Sequence, residues 1–584
     1  MDLNLYRKTR GRRKEFRVRF QLKQRIEFID GLGFGAYKEI VGGWRLEHFE
    51  VFVTHLPPDH HGPPADFVVW VHPKEIGIPA EYWNTDLRRI ATADFFLRLF
   101  LSNLGEQPAG CRGSGIGGLI DTDRPGQSVE ERNACCFDDG AIELRLKVGL
   151  PSAGMIILGD RVSEMFELLQ KTVAETFLPK RETLDELKIH LEAVERQEHL
   201  RSALREKNLT AFVGDGSVLP RSGGRSDAPL HAEHLRSFES PEAMAVELET
   251  LEQRAVQGLG IPRGVTVVTG GPYHGKSTLL SAIEEGTKNH IPGDGRELVV
   301  TDPLAIRTEA EEGRIIQQVD LSPFLHNLPS HVDLCHFNSE FSSGSTSQAA
   351  NIIEALNAGA RLLLIDEDRA ATNLMFADEG MRELLEADEL TLTSYLERAR
   401  ELFEQEEVSS IIVAGSSSRY FSIADSVLKM EDYRCLDVTA EARQIAEKWH
   451  PVIPAPPEPL TLSKRVPREP AVDLYRQRRY VDCQTDARGF VDLEGYEMDL
   501  SRLPAVKKTG HLTAAALAAA HLMKESMNGR SAISEMLDAL EAELDETGLL
   551  LIDPFRRHFL SRPTRFQICA AINRLQALEF EHVD

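Results

Sequence analysis

The chain has 584 residues, too many for one hydrophobic core, so roughly two to four domains are expected. Its formal net charge of −25 excludes a uniformly basic nucleic-acid binder, and no apolar run approaches the roughly 20 residues that span a bilayer. The opening Met-Asp-Leu-Asn-Leu-Tyr-Arg-Lys has no apolar core, so a soluble, cytoplasmic protein is expected; Asp2 and Glu15 argue against a mitochondrial presequence. Seven scattered cysteines without a C-x-x-C pair point to reduced thiols, and the adjacent Cys135 and Cys136 read as strand packing.

Residues 1–30 form a basic arm with Arg10, Arg12 and Arg13 at its centre, either a solvated, partly helical segment or a phosphate-contacting one. Residues 31–234 have an α/β pattern. Phe49–Val53 and Phe67–Val71 read as strands, Thr92–Leu104 as an amphipathic helix, Cys136–Gly149 as a strand pair and Gly159–Phe177 as a helix. Gly113 to Gly118 spells G-x-G-x-x-G, but no helix pattern follows it, so a dinucleotide fingerprint is rejected. A charged helix over Leu184–Arg205 leads to a turn-rich stretch with Asp215, Ser217 and Arg221, read as a connection between domains that could touch a bound nucleotide.

A core domain is expected over 235–448. Val265–Thr269 is a β-branched run that reads as a buried strand. Gly270, Gly271, Pro272, Tyr273, His274, Gly275, Lys276, Ser277 and Thr278 then fit G-x-x-x-x-G-K-[ST], and a helix follows to Glu285. Strand, glycine turn and helix is the context this motif needs. Its backbone N–H groups and the helix start cradle phosphates, Lys276 reaches the β- and γ-phosphates of ATP, and Ser277 ligates Mg²⁺. Downstream, Arg361–Glu367 is an apolar strand ending in two carboxylates. Asp366 is placed to hold Mg²⁺ and Glu367 to act as general base toward the attacking water. Between the two motifs, Ser343, Gly344 and Ser345 open a helix read over Gln348–Ala358. Such a turn is either a plain N-cap or a phosphate contact.

Ser343-Gly344 precedes Asp366 in the register in which the Ser-Gly of the ABC signature precedes its acidic strand end. Asp366-Glu-Asp-Arg-Ala-Ala-Thr-Asn373 is similar to the ABC Asp-Glu and D-loop, which makes Thr372 and Asn373 the D-loop candidates. The phrases Gly-Ile-Pro-Arg-Gly-Val-Thr, Tyr-His-Gly-Lys-Ser-Thr-Leu-Leu, Ser-Gly-Ser-Thr-Ser-Gln-Ala-Ala-Asn and Leu-Ile-Asp-Glu-Asp resemble the family of predicted ATPases of the ABC class. Gly31–Leu104, Asp215–Arg221, Asp437–Ala442 and Arg562–Leu578 also look like that family, so the resemblance covers nearly the whole chain. It implies an α/β P-loop core with accessory domains and ATP and Mg²⁺ as cofactors. It also implies a homodimer in which Ser343, Gly344 and Ser345 of one copy meet the γ-phosphate held by the other. Some members are associated with RNA. Three departures stand out: Ala349 replaces the Arg that often follows the signature, Asn373 replaces the usual Asp, and Gly415-Ser-Ser-Ser418 stands where a switch His is expected, with Ser416 nearest. A slow ATPase is therefore expected. Gln317 and Gln318 are the Q-loop candidates.

Prolines from Pro451 to Pro470 mark a linker, placed over 449–489. Lys464, Arg465, Arg468, Arg476, Arg478 and Arg479, interleaved with Tyr475 and Tyr480, could neutralise phosphates while the rings stack on bases of RNA or single-stranded nucleic acid; a solvated loop is the alternative. Residues 490–584 read as a small, mainly helical domain, with helices over Ala514–Met527, Ala532–Leu544 and Arg565–Leu578. The fold class expected is thus an ABC-type P-loop core with an α/β N-terminal domain and a mainly helical C-terminal one. Two other functions share the P-loop: a phosphotransferase acting on a small molecule, and a nucleotide-gated scaffold with little hydrolysis.

Overall fold

Runs of β-branched and aliphatic residues decide the sheets. In a computed structural model, residues 17–106, 112–224, 226–232, 235–251, 253–328, 332–377, 384, 391–449, 456, 458–503 and 509–583 are described. The chain divides into two units, Met1–Val194 with Phe555–Ser561, and Glu195–Pro554 with Arg562–Asp584.

In the first unit, Gly42–Arg45, Glu50–His55, Ala65–Val71 and Ala141–Val148 pair antiparallel in that order, and Cys135–Asp138 forms a hairpin with the last. Both cysteines lie on that hairpin, and burial pushes their thiols far up, which suits packing. The helix runs over Asp86–Leu104 and starts earlier than the apolar periodicity does, because Thr85 caps it by accepting the Arg88 N–H at 3.2 Å. The Gly113–Gly118 loop leads into the short strand Ile120–Asp121. The stretch 555–561 belongs to this unit: Arg556 pairs with Asp138 and Glu143, and Leu560 N–H donates to Asn133 at 2.8 Å.

The second unit is built on a six-stranded sheet in the order Ala305–Arg307, Leu362–Asp366, Ser409–Val413, Val265–Thr269, Ser426–Glu431, Arg434–Asp437. The first five are parallel and the last antiparallel. Their near-continuous aliphatic runs are those of strands covered on both faces. Parallel strands deliver their carboxyl ends to one edge, which is where open α/β sheets place ligand sites. Leu362 and Leu364 pack with Leu279, Leu280 and Ile283 of the helix Lys276–Glu285. By the two-residue alternation of a strand, Asp366 faces the same helix. A second, antiparallel sheet runs Ala245–Glu249, Ala255–Pro262, Leu209–Gly214, Val299–Thr301.

Three expected boundaries are redrawn. The core starts well before 235, since Leu209–Gly214 lies inside that antiparallel sheet. The linker read over 449–489 contains the strand Lys464–Pro467, which pairs with Phe580–Val583. The C-terminal part carries three helices, Thr509–Glu525, Ile533–Thr547 and Arg565–Arg574, but also a three-stranded sheet from Cys483–Thr485, Phe490–Leu493 and Tyr496–Asp499. That part is not a separate body. Arg574 reaches Glu311 at 2.7 Å and the Cys569 thiol meets the Glu354 carbonyl at 3.7 Å, so it shares a core with the sheet unit.

Candidate nucleotide site

The strand Val265–Thr269 ends at Gly270, whose φ of 132° and close approach to the Met430 carbonyl leave no room for a side chain. The loop turns through Tyr273 at φ 63°, 95 % exposed, and Gly275 at φ 99°, and the helix begins at Lys276. Lys276 Nζ donates to the carbonyls of Gly270 and Gly271 at 2.7 and 2.8 Å, so the ammonium sits in the mouth of its own loop. His274 is committed elsewhere: its Nδ1 accepts the Asp432 N–H at 2.7 Å, tying the loop to the turn after Ser426–Glu431.

Glu367 follows the carboxylate strand and is gripped by the loop after Ser409–Val413. Its Oε2 accepts Gly415 N–H at 2.6 Å and Ser416 N–H at 3.0 Å, and the Ser416 hydroxyl donates to its Oε1. A side chain built on Gly415 would stand 3.7 Å from Lys276 Nζ and 4.0 Å from Glu367 Oε2. Gly415 therefore stands close to both the Lys276 ammonium and the Glu367 carboxylate. Asp366 is buried, its Oδ2 3.2 Å from Arg307 Nη2 and its Oδ1 accepting Asp368 N–H at 3.3 Å.

The residues present fit Mg²⁺. Ser277 is exposed at the helix start and Asp366 closes the strand, both hard oxygen donors. Among the described residues no cluster of three or more His, Cys, Asp or Glu could hold a metal alone. Mg²⁺ keeps waters and takes phosphate oxygens with one or two protein ligands, and two oxygen donors such as Ser277 and Asp366 would suit it.

A cleft of about 830 Å³ opens at this loop, lined by Pro272, Tyr273, Gly275, Lys276, Ser277, Thr278 and Asp368, by Met430 and Tyr433, and by Arg236 with apolar residues from Leu219 to Phe238. The connecting stretch thus walls the cleft. Asp215, Ser217 and Arg221 anchor it and are absent from the lining. Asp215 accepts Ser240 N–H at 2.6 Å, Ser217 bonds the Gly214 carbonyl at 2.7 Å, and Arg221 pairs with buried Asp294 at 2.8 Å.

Ser343 caps the helix Gly344–Asn357, its Oγ accepting Thr346 N–H at 3.4 Å. Ser343 is exposed and Gly344 and Ser345 half-buried; none of the three lines the cleft. Phe341 beside them is 77 % exposed. Thr372 and Asn373 are exposed on a short helix, and a side chain on Gly344 would come within 3.9 Å of the neighbouring Ala371.

Several expected site residues belong elsewhere. Gln317 and Gln318 lie on the strand Ile316–Val319 under the C-terminal segment: Gln318 Oε1 accepts Phe580 N–H at 2.6 Å, and the Gln317 carbonyl accepts from Arg465. They are not at the nucleotide loop, because the strand beside the carboxylate strand is Ala305–Arg307. Arg465 is 0 % exposed, with its guanidinium 3.5 Å over the Phe580 ring and bonded to Asn573, so it contacts no nucleic acid; burial lowers its pKa to about 10. Arg468 pairs with Glu579 and Glu581, Arg476 with Glu494, and Arg478 with Asp482 and Glu494. Lys464 and Arg479 are exposed and make no ion pair among the described residues. Arg10, Arg12 and Arg13 lie outside the described residues. Sequence reasoning reaches the wall at Leu219 and Pro220 but not Arg307 or the wall residues from Leu230 to Phe238.

Residues 183–459 match the P-loop domain of the ABC ATPase model, and residues 20–180 match the ATPase of the ABC class N-terminal model. The chain belongs to the ATPases of the ABC class. Residues 484–581 of this ABC-class chain match the MRB1590 C-terminal domain. An uncharacterised protein of Methanocaldococcus jannaschii is 29 % identical over 266 residues, 42 % of this chain and 55 % of that relative, so the chain spans about half the relative's length. A solved metal-chelate type ABC transporter in an inward-facing conformation aligns at 13 % identity over 41 % of this chain and 85 % of its own. Its TM-score of 0.25 is too low to carry a structural argument. No helix among the described residues is long and apolar enough to cross a membrane.

Proposed function

We infer that this ABC-class chain binds and slowly hydrolyses Mg·ATP between two copies and couples that cycle to nucleic acid, RNA before DNA. The observation that carries the reading is that Lys276 and the three-times-bonded Glu367 carboxylate both stand close to Gly415. The loop N–H groups, the helix start and Lys276 bind and orient the phosphates. Ser277 and Asp366 hold Mg²⁺, which when bound supplies charge neutralisation on the phosphate oxygens. Glu367 takes the proton of the attacking water. Phosphate release should fall to background in Lys276→Ala and in Glu367→Gln. Wild-type release equal to that of both variants would remove hydrolysis from the account. Free phosphate released without an acceptor would set aside the phosphotransferase.

The dimer is supported by the incompleteness of the site in one copy. Ser343, Gly344, Ser345, Thr372 and Asn373 do not line the cleft that holds the glycine loop, and Ser343, Thr372 and Asn373 are exposed to a second copy. Two-fold pairing would set each patch against the other cleft.

RNA rests on the family resemblance and on exposed Lys464 and Arg479. Filter binding over a salt series tests it: affinity should fall with salt, with a slope of about −0.7 per phosphate neutralised on a single strand. No retention at low salt would end it. A second reading, a nucleotide-gated scaffold, is favoured by Ser416 at the position of the switch His. It predicts equal phosphate release from wild type and Glu367→Gln.

A further inference from the structure

Arg307 ends the strand beside the carboxylate strand, level with Leu364. Alternation along the two strands therefore puts its side chain on the face Asp366 occupies, against the glycine-loop helix. The side chain is 6 % exposed and meets three carboxylates. Nη2 is 3.2 Å from Asp366, Nη1 is 3.4 Å from Glu284 on that helix, and Nε is 2.7 Å from Glu309 without an N–H aligned on it. Glu309 is shared with the exposed Arg369 at 3.3 Å.

A buried cation divided among three carboxylates is an uncommon expenditure for mere packing, since apolar residues would fill the space at lower desolvation cost. Its place is what makes it informative. Asp366 is a buried carboxylate at the expected metal seat, and both of its oxygens are engaged, one by Arg307 and one by Asp368 N–H. A divalent ion arriving alone would meet a fixed positive charge beside its ligand. An ion arriving with a triphosphate brings negative charge that outweighs the guanidinium.

We propose that Arg307 is the resident counter-ion of the metal seat, holding Asp366 until nucleotide arrives and closing the seat to free divalent cations. Metal then enters only together with the triphosphate. The inference rests on reading Asp366 and Ser277 as that seat. The opposing possibility is a permanent cross-link with no bearing on metal entry.

Mn²⁺ is the probe, with free ion counted by electron paramagnetic resonance on the full chain without nucleotide. Wild type should take up Mn²⁺ only at millimolar concentration, and Arg307→Met should bind one ion per chain at least tenfold more tightly. Arg307→Lys should behave as wild type, and adding Asp366→Asn to Arg307→Met should abolish the gain. Arg307→Gln serves if the methionine variant does not fold. Tight uptake by wild type alone, no gain in either neutral variant, or a gain that survives Asp366→Asn would each overturn the proposal. Wild type with Mn²⁺ and a non-hydrolysable ATP analogue tests the seat separately: failure to take up the ion there sinks the nucleotide-site reading.

Discussion

Replacing Ser416 by Ala isolates one part of the grip on Glu367. Glu367 accepts three hydrogen bonds, two from the N–H groups of Gly415 and Ser416 at 2.6 and 3.0 Å and one from the Ser416 hydroxyl. The substitution removes only the third. The two backbone donors keep the carboxylate near Lys276, so the fold and the loop should persist. A hydrogen bond to a charged group contributes about 1.5 kcal/mol at the low end, the fitting value for a half-exposed carboxylate. If Glu367 must be held for proton transfer, that figure is about a tenfold fall in kcat. Ser416 does not line the cleft, so KM for Mg·ATP should not change. Ser416→Thr retains a hydroxyl and should restore most of the rate. The assay is steady-state phosphate release over a range of ATP. A kcat within about twofold of wild type, or a loss confined to KM, would refute the idea that this loop positions Glu367.

Further outcomes follow from the same geometry. Lys276→Ala should weaken ATP binding about 100-fold, read by fluorescent-nucleotide titration, because it deletes the cation at the loop's mouth. Gly275→Ala forces a side chain to φ 99° and to 3.2 Å from the Tyr433 ring, and should cost about 1–2 kcal/mol in denaturant unfolding. Arg465→Met should destabilise the sheet unit by about 3 kcal/mol, since the Asn573 side chain and Gln317 carbonyl lose a buried charged donor. The double change Lys464→Ala, Arg479→Ala should instead leave unfolding unaltered and lower RNA retention, with a shallower salt dependence.

The glycine loop and the carboxylate strand were legible because each is a contiguous motif in its own context. Glycine loop and helix follow a β-branched run, and two carboxylates end an aliphatic one. The serine turn was legible as a helix start, and Ser343 does cap the helix Gly344–Asn357; its part in the pocket of a second copy is the proposal. Arg307 was not, because its role comes from strand order: Ala305–Arg307 lies beside Leu362–Asp366 although more than 50 residues separate them. The same gap misplaced Gln317 and Gln318, chosen by position along the chain while the sheet carries that strand beneath Phe580 and His582. Counting charges read Arg465 as a surface cation, and a count cannot see Phe580 or Asn573 closing over it. The boundary near 235 failed for a related reason. Leu209–Gly214 looks like the end of one domain, yet its partners in the sheet are Ala255–Pro262 and Val299–Thr301.

If Ser343 and Gly344 of one copy complete the pocket of another, the mass of the protein in solution will report it. Light scattering of Glu367→Gln should give a monomer without nucleotide, a dimer with Mg·ATP, and a monomer again when Gly344→Asp is added although ATP is still bound. A Glu367→Gln protein that stays monomeric with ATP bound, or a dimer indifferent to Gly344→Asp, would contradict the account.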